Sequence, residues 1–392
     1  LIGKKDSQCN VTVDIVSPDG YVADTKSVKA KIDGKMLHVP FSVTNPELWS
    51  LHKPSLYRVD VVVGADTVSL NTGFRRLEVT PQQLLTLNGK QVPVRGVNLC
   101  HDNAKRGNAL TQSDYDADFA TIKSMGANAI RSVEGPHSQM LYDKCDREGM
   151  LVWVDTPLCQ SPFLSDIAFY ASDAFKQNGR EQLKEIVLQN IHHPSVAMWG
   201  IFSLLRGRST ELMDYIKELN SLAKATDPSR LTVSCSNQDG DINFITDLIV
   251  WQQSVGWDKG DVEDLNLWQR ALRTNWSHLR QAICYGEGGT KGIFNDDLVS
   301  HSASQHRIPE SWQTRFHEGY ASRIDKELFW GVWLNTMFDF GAVRHGGCVR
   351  NSGIVAFDHT QAKDAYYLYK TLWNRKSPTL HIVGKNREVR LG

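Results

Sequence analysis

The chain has 392 residues, of which 41% are hydrophobic and 22% are charged, so a large core beside a smaller module is the expectation. Lys and Arg together number 44, as do Asp and Glu, which leaves no net field to attract nucleic acid or an anionic membrane surface. No apolar run approaches the roughly 20 residues of a membrane-spanning helix, and the first residues do not form a signal peptide. We therefore expect a soluble globular protein.

Seven cysteines are scattered along the chain without a Cys-x-x-Cys pair or the spacing of a zinc site. An odd number of scattered cysteines predicts free thiols rather than a disulfide framework. We expect no required metal or cofactor and a small-molecule substrate or ligand. The sequence indicates neither the oligomeric state nor the compartment.

Residues 1–80 alternate apolar and polar positions in short runs, as in Val11–Ile15 and Val59–Val63. Turn sequences such as Pro18-Asp19-Gly20 separate these runs. Period-two alternation with frequent turns predicts an antiparallel, immunoglobulin-like β-sandwich.

From Thr80-Pro81 onward, apolar strands alternate with amphipathic helices, which predicts parallel strands joined by helical crossovers. Eight such units within residues 81–376 predict a TIM barrel. The tail, residues 377–392, returns to strand-like alternation and is a candidate first strand of a further domain. The predicted barrel strands are Val92–Leu99, Ala129–Val133, Leu151–Asp155, Val196–Phe202, Leu231–Cys235, Leu248–Trp251, Gln281–Tyr285 and Phe329–Asn335. The predicted helices are Ser113–Met125, Ser138–Glu148, Asp173–Ile191, Thr210–Ala225, Glu263–Leu279, Trp312–Asp325 and Gln361–Trp373, and the helical pattern is weakest between strands five and six.

Motifs that together span nearly the whole chain follow one another in a fixed order. They are Asn45–Ser50, Pro54–Tyr57, Gly73–Arg75, Leu87–Lys90, Arg95–Asn98, Lys123–Arg131, Tyr142–Asp146, His193–Ser195 and Asn335–Gly341. In this set and order they resemble glycoside hydrolase family 2, the β-galactosidase and β-glucuronidase group. The resemblance implies a barrel that carries a retaining β-glycosidase site at its C-terminal mouth.

A retaining glycosidase needs one Glu as acid/base and a second as nucleophile, about 5 Å apart. The family's acid/base position, after the fourth strand, matches Leu204, and the Asn before it matches Ser203. The family's nucleophile position matches Cys284 in Ile283-Cys284-Tyr285-Gly286. The resemblance therefore predicts that both catalytic carboxylates of the family are replaced here.

Other departures from the family pattern fall on the same rim. The family's pocket His after strand one matches Cys100, and the His after strand two matches Glu134. The Trp-Asn pair at strand eight appears as Asn335-Thr336, and the position three past the nucleophile is Glu287. Because the framework motifs persist, the pattern predicts a pocket rebuilt by specialised selection or by design.

A thiol in the nucleophile position suggests a Cys-His hydrolase of small activated esters. Cys284 is the predicted nucleophile, His101 the base and Glu134 the group that orients the imidazole. Cys100 is the alternative nucleophile, and His345 the second choice of base. The structural alternative is that Cys284 is an inert, buried hydrophobic residue.

The remaining pocket predictions follow from residue type. Uncharged hydrogen-bond donors, expected to stabilise an oxyanion, are Ser203, Asn335 and Thr336. Leu204 and Ile283 are expected to form apolar walls.

Three further functions stay open. Glu134 or Asp155, placed among apolar walls, could act as a general base that removes a proton from carbon. A sugar-binding protein without catalysis could use aromatic faces, for which the candidates are Trp199, Trp251, Trp257 and Trp333. Residual β-glycosidase activity would need Glu287 together with Asp155 or Glu134.

Some family members hold a divalent ion near the acid/base, but the matching position reads Asp155-Thr156, so no metal is expected.

Overall fold

The first strands form a four-stranded antiparallel sheet in the computed structural model, which describes residues 7–33, 37–159, 169–205, 207, 209–257, 260–292, 308–344, 347–374, 376 and 379–382. Alternate side chains of the first strand are buried, with Val11 and Val13 packed against Ala30, as the period-two pattern predicts. The strands are β1 (Gln8–Val16), β2 (Val22–Lys31), β3 (Tyr57–Val63) and β4 (Asp66–Thr72), in the spatial order β2-β1-β3-β4.

A three-stranded antiparallel sheet connects this first sheet to the barrel. Its strands are β5 (Leu77–Val79), β6 (Leu85–Leu87) and β7 (Lys90–Gln91). Leu85 and Leu87 are buried and join the same apolar cluster as the side chains that fill the barrel. This sheet therefore closes the end of the barrel at which its strands begin.

Eight parallel strands close into a barrel, so the predicted fold class, a TIM barrel preceded by a small immunoglobulin-like β-sandwich, is confirmed. Each predicted strand coincides with a barrel strand, and the ends differ by at most two residues. The barrel strands are β8 (Val94–Leu99), β9 (Ala129–Ser132), β10 (Leu151–Asp155), β11 (Val196–Ser203), β12 (Leu231–Ser236), β13 (Leu248–Gln253), β14 (Gln281–Tyr285) and β15 (Gly331–Leu334).

Seven α-helices are described, and they surround the barrel. A 3-10 turn, Asp241–Phe244, stands between β12 and β13, where the sequence pattern for a helix is weakest. The hairpin β16 (Phe340–Arg344) and β17 (Gly347–Arg350) follows β15. The helices are α1 (Gln112–Met125), α2 (Gln139–Glu148), α3 (Asp173–Asn190), α4 (Thr210–Thr226), α5 (Leu265–Asn275), α6 (Glu310–Arg323) and α7 (Asp364–Trp373).

Side chains of the barrel strands divide between two apolar clusters because successive residues point to opposite faces. The outer cluster packs strands against helices and contains Ile130, Val152 and Ile283. The inner cluster fills the barrel, where Trp153 and Trp333 meet edge to face with ring centroids 5.3 Å apart. The barrel is thus a packed core, and its chemistry is confined to the C-terminal mouth.

The antiparallel domain packs against the end of the barrel opposite the mouth. The fully buried Trp49 donates a hydrogen bond from Nε1 to the backbone oxygen of Asp146 at 2.9 Å. Arg75 donates from Nε to the oxygen of Pro194, just before β11, at 2.7 Å. Among the described residues, no helix is long and apolar enough to cross a membrane.

Candidate functional site

A buried ion pair lies at the inner face of the barrel where the strands end. Arg131 of β9 donates to Asp155 Oδ2 of β10 from Nε at 3.0 Å and from Nη2 at 2.8 Å. Nη2 also donates to Ser203 Oγ of β11 at 2.8 Å, and the guanidinium carbon lies 3.9 Å from the Trp153 ring centroid. Burial has the largest single effect and opposes the charge of Arg131, but Asp155 and the neighbouring thiols together outweigh it and raise the pKa of Arg131 above its usual range.

Glu134 follows β9 and reaches solvent within the mouth. Its backbone is in the left-handed region, with φ of 64°, and its N–H points to Asp155 Oδ2 at 3.3 Å. The side chain is exposed, yet crowding by the surrounding protein raises the pKa of Glu134, and the nearby Asp155 adds to the increase. Of the predicted site residues, Glu134, Asp155 and Ser203 therefore do lie in one network, through Arg131.

Cys284 lies inside the barrel rather than on its rim. Its thiol is fully buried and accepts a hydrogen bond from Asn98 Nδ2 at 3.6 Å, and the same Nδ2 donates to Asn335 Oδ1 at 3.1 Å. Burial raises the pKa of Cys284 well above its usual range, and the neighbouring Cys235 adds to this. The thiol therefore stays protonated at neutral pH, and a protonated thiol is a poor nucleophile.

The predicted dyad of Cys284 with His101 is wrong in its geometry. His101 Nε2 pairs with the hydroxyl of Tyr115 on α1 at 3.0 Å, and its ring stacks on His137 with centroids 4.8 Å apart. Burial lowers the pKa of His101. No histidine contacts the Cys284 thiol in the described part of the chain, and the second predicted base, His345, lies outside the described residues.

The alternative nucleophile, Cys100, is also unsuited to its predicted role. It follows β8 and is partly exposed, but crowding by the protein raises the pKa of its thiol well above the usual range, and Glu134 and Asp102 add to the increase. Both effects keep the proton on sulfur.

Two pocket predictions are corrected by the alternation of side chains. Cys284 faces inward, so Ile283 must face outward, and it packs in the cluster between strands and helices rather than lining a pocket. Thr336 uses its hydroxyl as a donor to the oxygen of Phe338 at 2.5 Å, and its N–H donates to the oxygen of Ser352 at 3.2 Å. Its donors are therefore engaged and do not point at an oxyanion.

Leu204 is half-buried at the mouth and packs against the inner cluster. This position is compatible with its predicted role as an apolar wall of the pocket. Its φ is 54°, and its N–H donates to the oxygen of Cys235 at 2.9 Å. Asn335, also half-buried, is joined to Thr336 by a cis peptide bond. The Leu204 side chain carries no proton to transfer.

Glu287 follows β14 and is held from two sides. Arg350 Nη2 of β17 lies 3.4 Å from its Oε2, and the side chain is 13% exposed. Gln313 of α6 donates from Nε2 to the Glu287 backbone oxygen at 2.8 Å. A second carboxylate thus stands on the rim, ion-paired with an arginine.

The four tryptophans predicted to stack on sugar rings are packed in the core rather than open at the mouth of the barrel. Trp199 and Trp251 face the helices, where their Nε1 atoms donate to Asp227 and Gln281, both at 2.9 Å. Trp257 packs edge to face on Phe316, and Trp333 fills the barrel interior. None of the four offers an open ring face at the mouth.

Sequence reasoning missed the central role of Arg131 and Asn98. Both carried a detectable signal, because each is a polar residue at an inward position of an otherwise apolar strand. A buried charge of this kind needs a partner, and Asp155 at the end of the next strand was the available one.

One group of possible metal ligands, Asp143, Asp146 and His193, was found within the described ranges. It lies at the closed end of the barrel, where His193 bonds Asp146 through Nδ1 at 2.6 Å and Gln139 through Nε2 at 2.9 Å. Both ring nitrogens of His193 therefore have hydrogen-bond partners, and we interpret the three residues as a structural hydrogen-bond cluster.

Comparison with known proteins gives the family. The model for the TIM barrel domain of glycosyl hydrolases family 2 matches residues 77–376, and a second family 2 model matches residues 2–75. A β-glucuronidase of Bacteroides fragilis is 34% identical over 382 residues, which cover 94% of this chain and 55% of that protein. The dog β-glucuronidase is 27% identical over 354 residues, covering 86% of this chain and 53% of that protein.

A solved β-glucuronidase structure from Faecalibacterium prausnitzii superposes with a TM-score of 0.81 at 29% identity, covering 97% of this chain and 59% of that one. The chain thus spans little more than half the length of these relatives. Both the family models and the barrel geometry agree with the motifs in the sequence. The chain belongs to glycosyl hydrolase family 2.

Proposed function

We propose that the chain is a β-glycosidase that acts on a β-glucuronide or β-galactoside at the barrel mouth. The proposal is carried by two carboxyl groups, Glu134 and Glu287, at matching heights on the rim. Each lies two residues beyond the last residue of a barrel strand, β9 for Glu134 and β14 for Glu287. The strands β15 and β8 separate them around the barrel.

The two carboxyl groups differ in the way that glycoside hydrolysis requires. Glu134 holds its proton to a higher pH than an ordinary Glu because its pKa is raised. Glu287 is ion-paired with Arg350, and this pairing favours the carboxylate form. One protonated and one ionised carboxyl group are the pair that glycosidases use.

In the proposed reaction, Glu134 donates its proton to the glycosidic oxygen as the bond from that oxygen to the anomeric carbon breaks. The Glu287 carboxylate stabilises the positive charge that develops on the sugar. Water then adds to the anomeric carbon, and its proton returns to Glu134. Because Glu134 must be protonated, the rate falls as pH rises through its raised pKa.

The test compares a poor and a good leaving group. With phenyl and p-nitrophenyl β-D-glucuronides and β-D-galactosides, Glu134→Gln should lower kcat/KM by about 100-fold or more on the phenyl substrate. The loss should be smaller on the p-nitrophenyl substrate, which leaves without an acid. Glu287→Gln should lower both rates alike, and Glu211→Gln, at an exposed site in the first turn of α4, should change neither.

A second function, sugar binding without hydrolysis, is favoured by one observation. Leu204 and Cys284, at the two positions where family resemblance places catalytic Glu residues, carry no carboxylate. Binding heat in calorimetry with no turnover by the wild-type protein would establish this second function. The absence of both binding heat and turnover would contradict the glycosidase function and the sugar-binding function.

A further inference from the structure

The turn that carries Glu134 adopts a backbone conformation that it would not hold unaided. A φ of 64° is uncommon for a residue with a side chain and is energetically unfavourable. Such a conformation persists only where its surroundings hold it. The contacts are the Glu134 N–H to Asp155 Oδ2, at 3.3 Å, and the Ser132 hydroxyl to the Gly135 oxygen, at 2.5 Å.

Asp155 is itself fixed from several directions. Its Oδ2 receives both donors of Arg131, and its side chain and that of Arg131 are each 2% exposed. On the other side, Gly200 of β11 makes room for it, since a Cβ there would lie 2.3 Å from Asp155 Oδ1. The carboxylate is therefore a rigid, buried anchor beneath the turn.

We propose that Asp155 is the positioning residue for Glu134, fixing the backbone of that residue at the mouth of the barrel. The role in glycoside hydrolysis rests on the proposed function above. The positioning itself does not.

The charged and titratable groups that act on Glu134 come from three neighbouring elements. Burial by the surrounding protein has the largest effect and raises the pKa of Glu134; Asp155 at the end of β10 adds to the increase, and Arg131 of β9 opposes it less strongly. The thiols of Cys100, after β8, and Cys159, after β10, also lie close enough to interact with Glu134, but both keep their protons. Among the described groups, Asp155 is therefore the nearby charge that raises the pKa of Glu134.

The experiment follows the Glu134 carboxyl directly, by carbon NMR of the full chain labelled with ¹³C-glutamate. Glu134→Gln assigns the resonance. In Asp155→Asn, which keeps an oxygen acceptor but loses the charge, the Glu134 titration midpoint should fall by on the order of one pH unit. The matched control is Ser203→Ala, which removes the other partner of Arg131 and should leave the midpoint in place.

Hydrogen exchange of a peptide covering residues 130–136 tests the backbone contact. Exchange should be faster in Asp155→Ala, which has no acceptor, than in Asp155→Asn. Asp155→Asn could fail to fold because Arg131 is left unpaired. In that case the double variant Arg131→Met with Asp155→Asn removes both charges, and the titration midpoint of Glu134 should still be lower than in the wild-type protein.

A folded Asp155→Asn protein with the wild-type midpoint would overturn the proposal, as would equal exchange in the two variants. A shifted midpoint in a chain that hydrolyses no glycoside would support the positioning and contradict only the proposed function.

Discussion

Cys284 illustrates how its surroundings decide what a reactive residue type can do. Its thiol sits in the inner core, accepts one hydrogen bond from Asn98 and has a raised pKa because it is buried. A nucleophilic cysteine needs the opposite environment, with a cation or base beside an accessible sulfur. Cys284 is therefore a packing residue.

We expect the Cys284→Ala variant and the wild-type protein to show the same rate of p-nitrophenyl acetate hydrolysis, because no catalytic thiolate is removed. The free energy of unfolding should fall by about 1–3 kcal/mol, since the smaller side chain leaves space in a packed core. Cys235→Ala, another buried thiol, is the matched control and should behave alike. A selective loss of ester hydrolysis in Cys284→Ala would restore the cysteine-hydrolase hypothesis.

The candidate site could be predicted from the sequence in part. Glu134, Asp155 and Ser203 were expected at the mouth because each follows or ends a barrel strand. The pairing of Arg131 with Asp155 is predictable only when side-chain direction is considered together with strand position, because a buried charge needs a partner on the same inward face. The outward direction of Ile283 follows from the sequence, because the residue next to an inward-facing Cys284 on a strand must face outward.

At the scale of strands and helices, hydrophobic pattern is decisive where elements are fully buried. The barrel strands were located to within two residues because their continuous apolar runs contrast with the amphipathic helices between them. The segment between β12 and β13 forms only a 3-10 turn, since Gly240 and Asn243 interrupt any longer helical pattern. Period-two alternation predicts antiparallel strands before the barrel, and β1 to β4 pair in this way.

The close packing of β8 against β15 predicts the effect of a substitution on stability. Gly96 pairs with Trp333 across the two strands, and a Cβ on Gly96 would lie 2.1 Å from Cε3 of the indole. Gly96→Ala should therefore lower the free energy of unfolding by about 1–3 kcal/mol, as expected for an overpacked core.

Thermal or urea unfolding measures the loss, and Gly288→Ala is the control. A Cβ at Gly288 would lie 3.2 Å from the nearest atom, the Asn351 oxygen, so a small shift accommodates it. Equal stability of the two variants would show that Trp333 can move, contrary to its packing against Trp153 and Trp330.

Across the whole molecule, the two domains are joined by buried contacts. Trp49 is fully buried and donates a hydrogen bond to Asp146, and Arg75 donates one to the oxygen of Pro194, just before β11. Contacts of this kind couple the unfolding of one domain to that of the other.

Trp49→Ala should uncouple the domains. We expect a loss of about 3–5 kcal/mol, because a large buried aromatic side chain is removed, and calorimetry should change from one unfolding transition to two. Trp276→Ala, at a half-buried site after α5, should keep a single transition. Two transitions already present in the wild-type protein would contradict strong coupling.

The position of the antiparallel domain at the closed end of the barrel also shapes how the protein can change over generations. Substitutions that alter specificity at the mouth and substitutions that loosen the attached domain fall on opposite ends of the barrel. A lineage could therefore exchange its mouth residues repeatedly while the same scaffold remains recognisable, so similarity between two such chains measures common ancestry better than it measures common substrate.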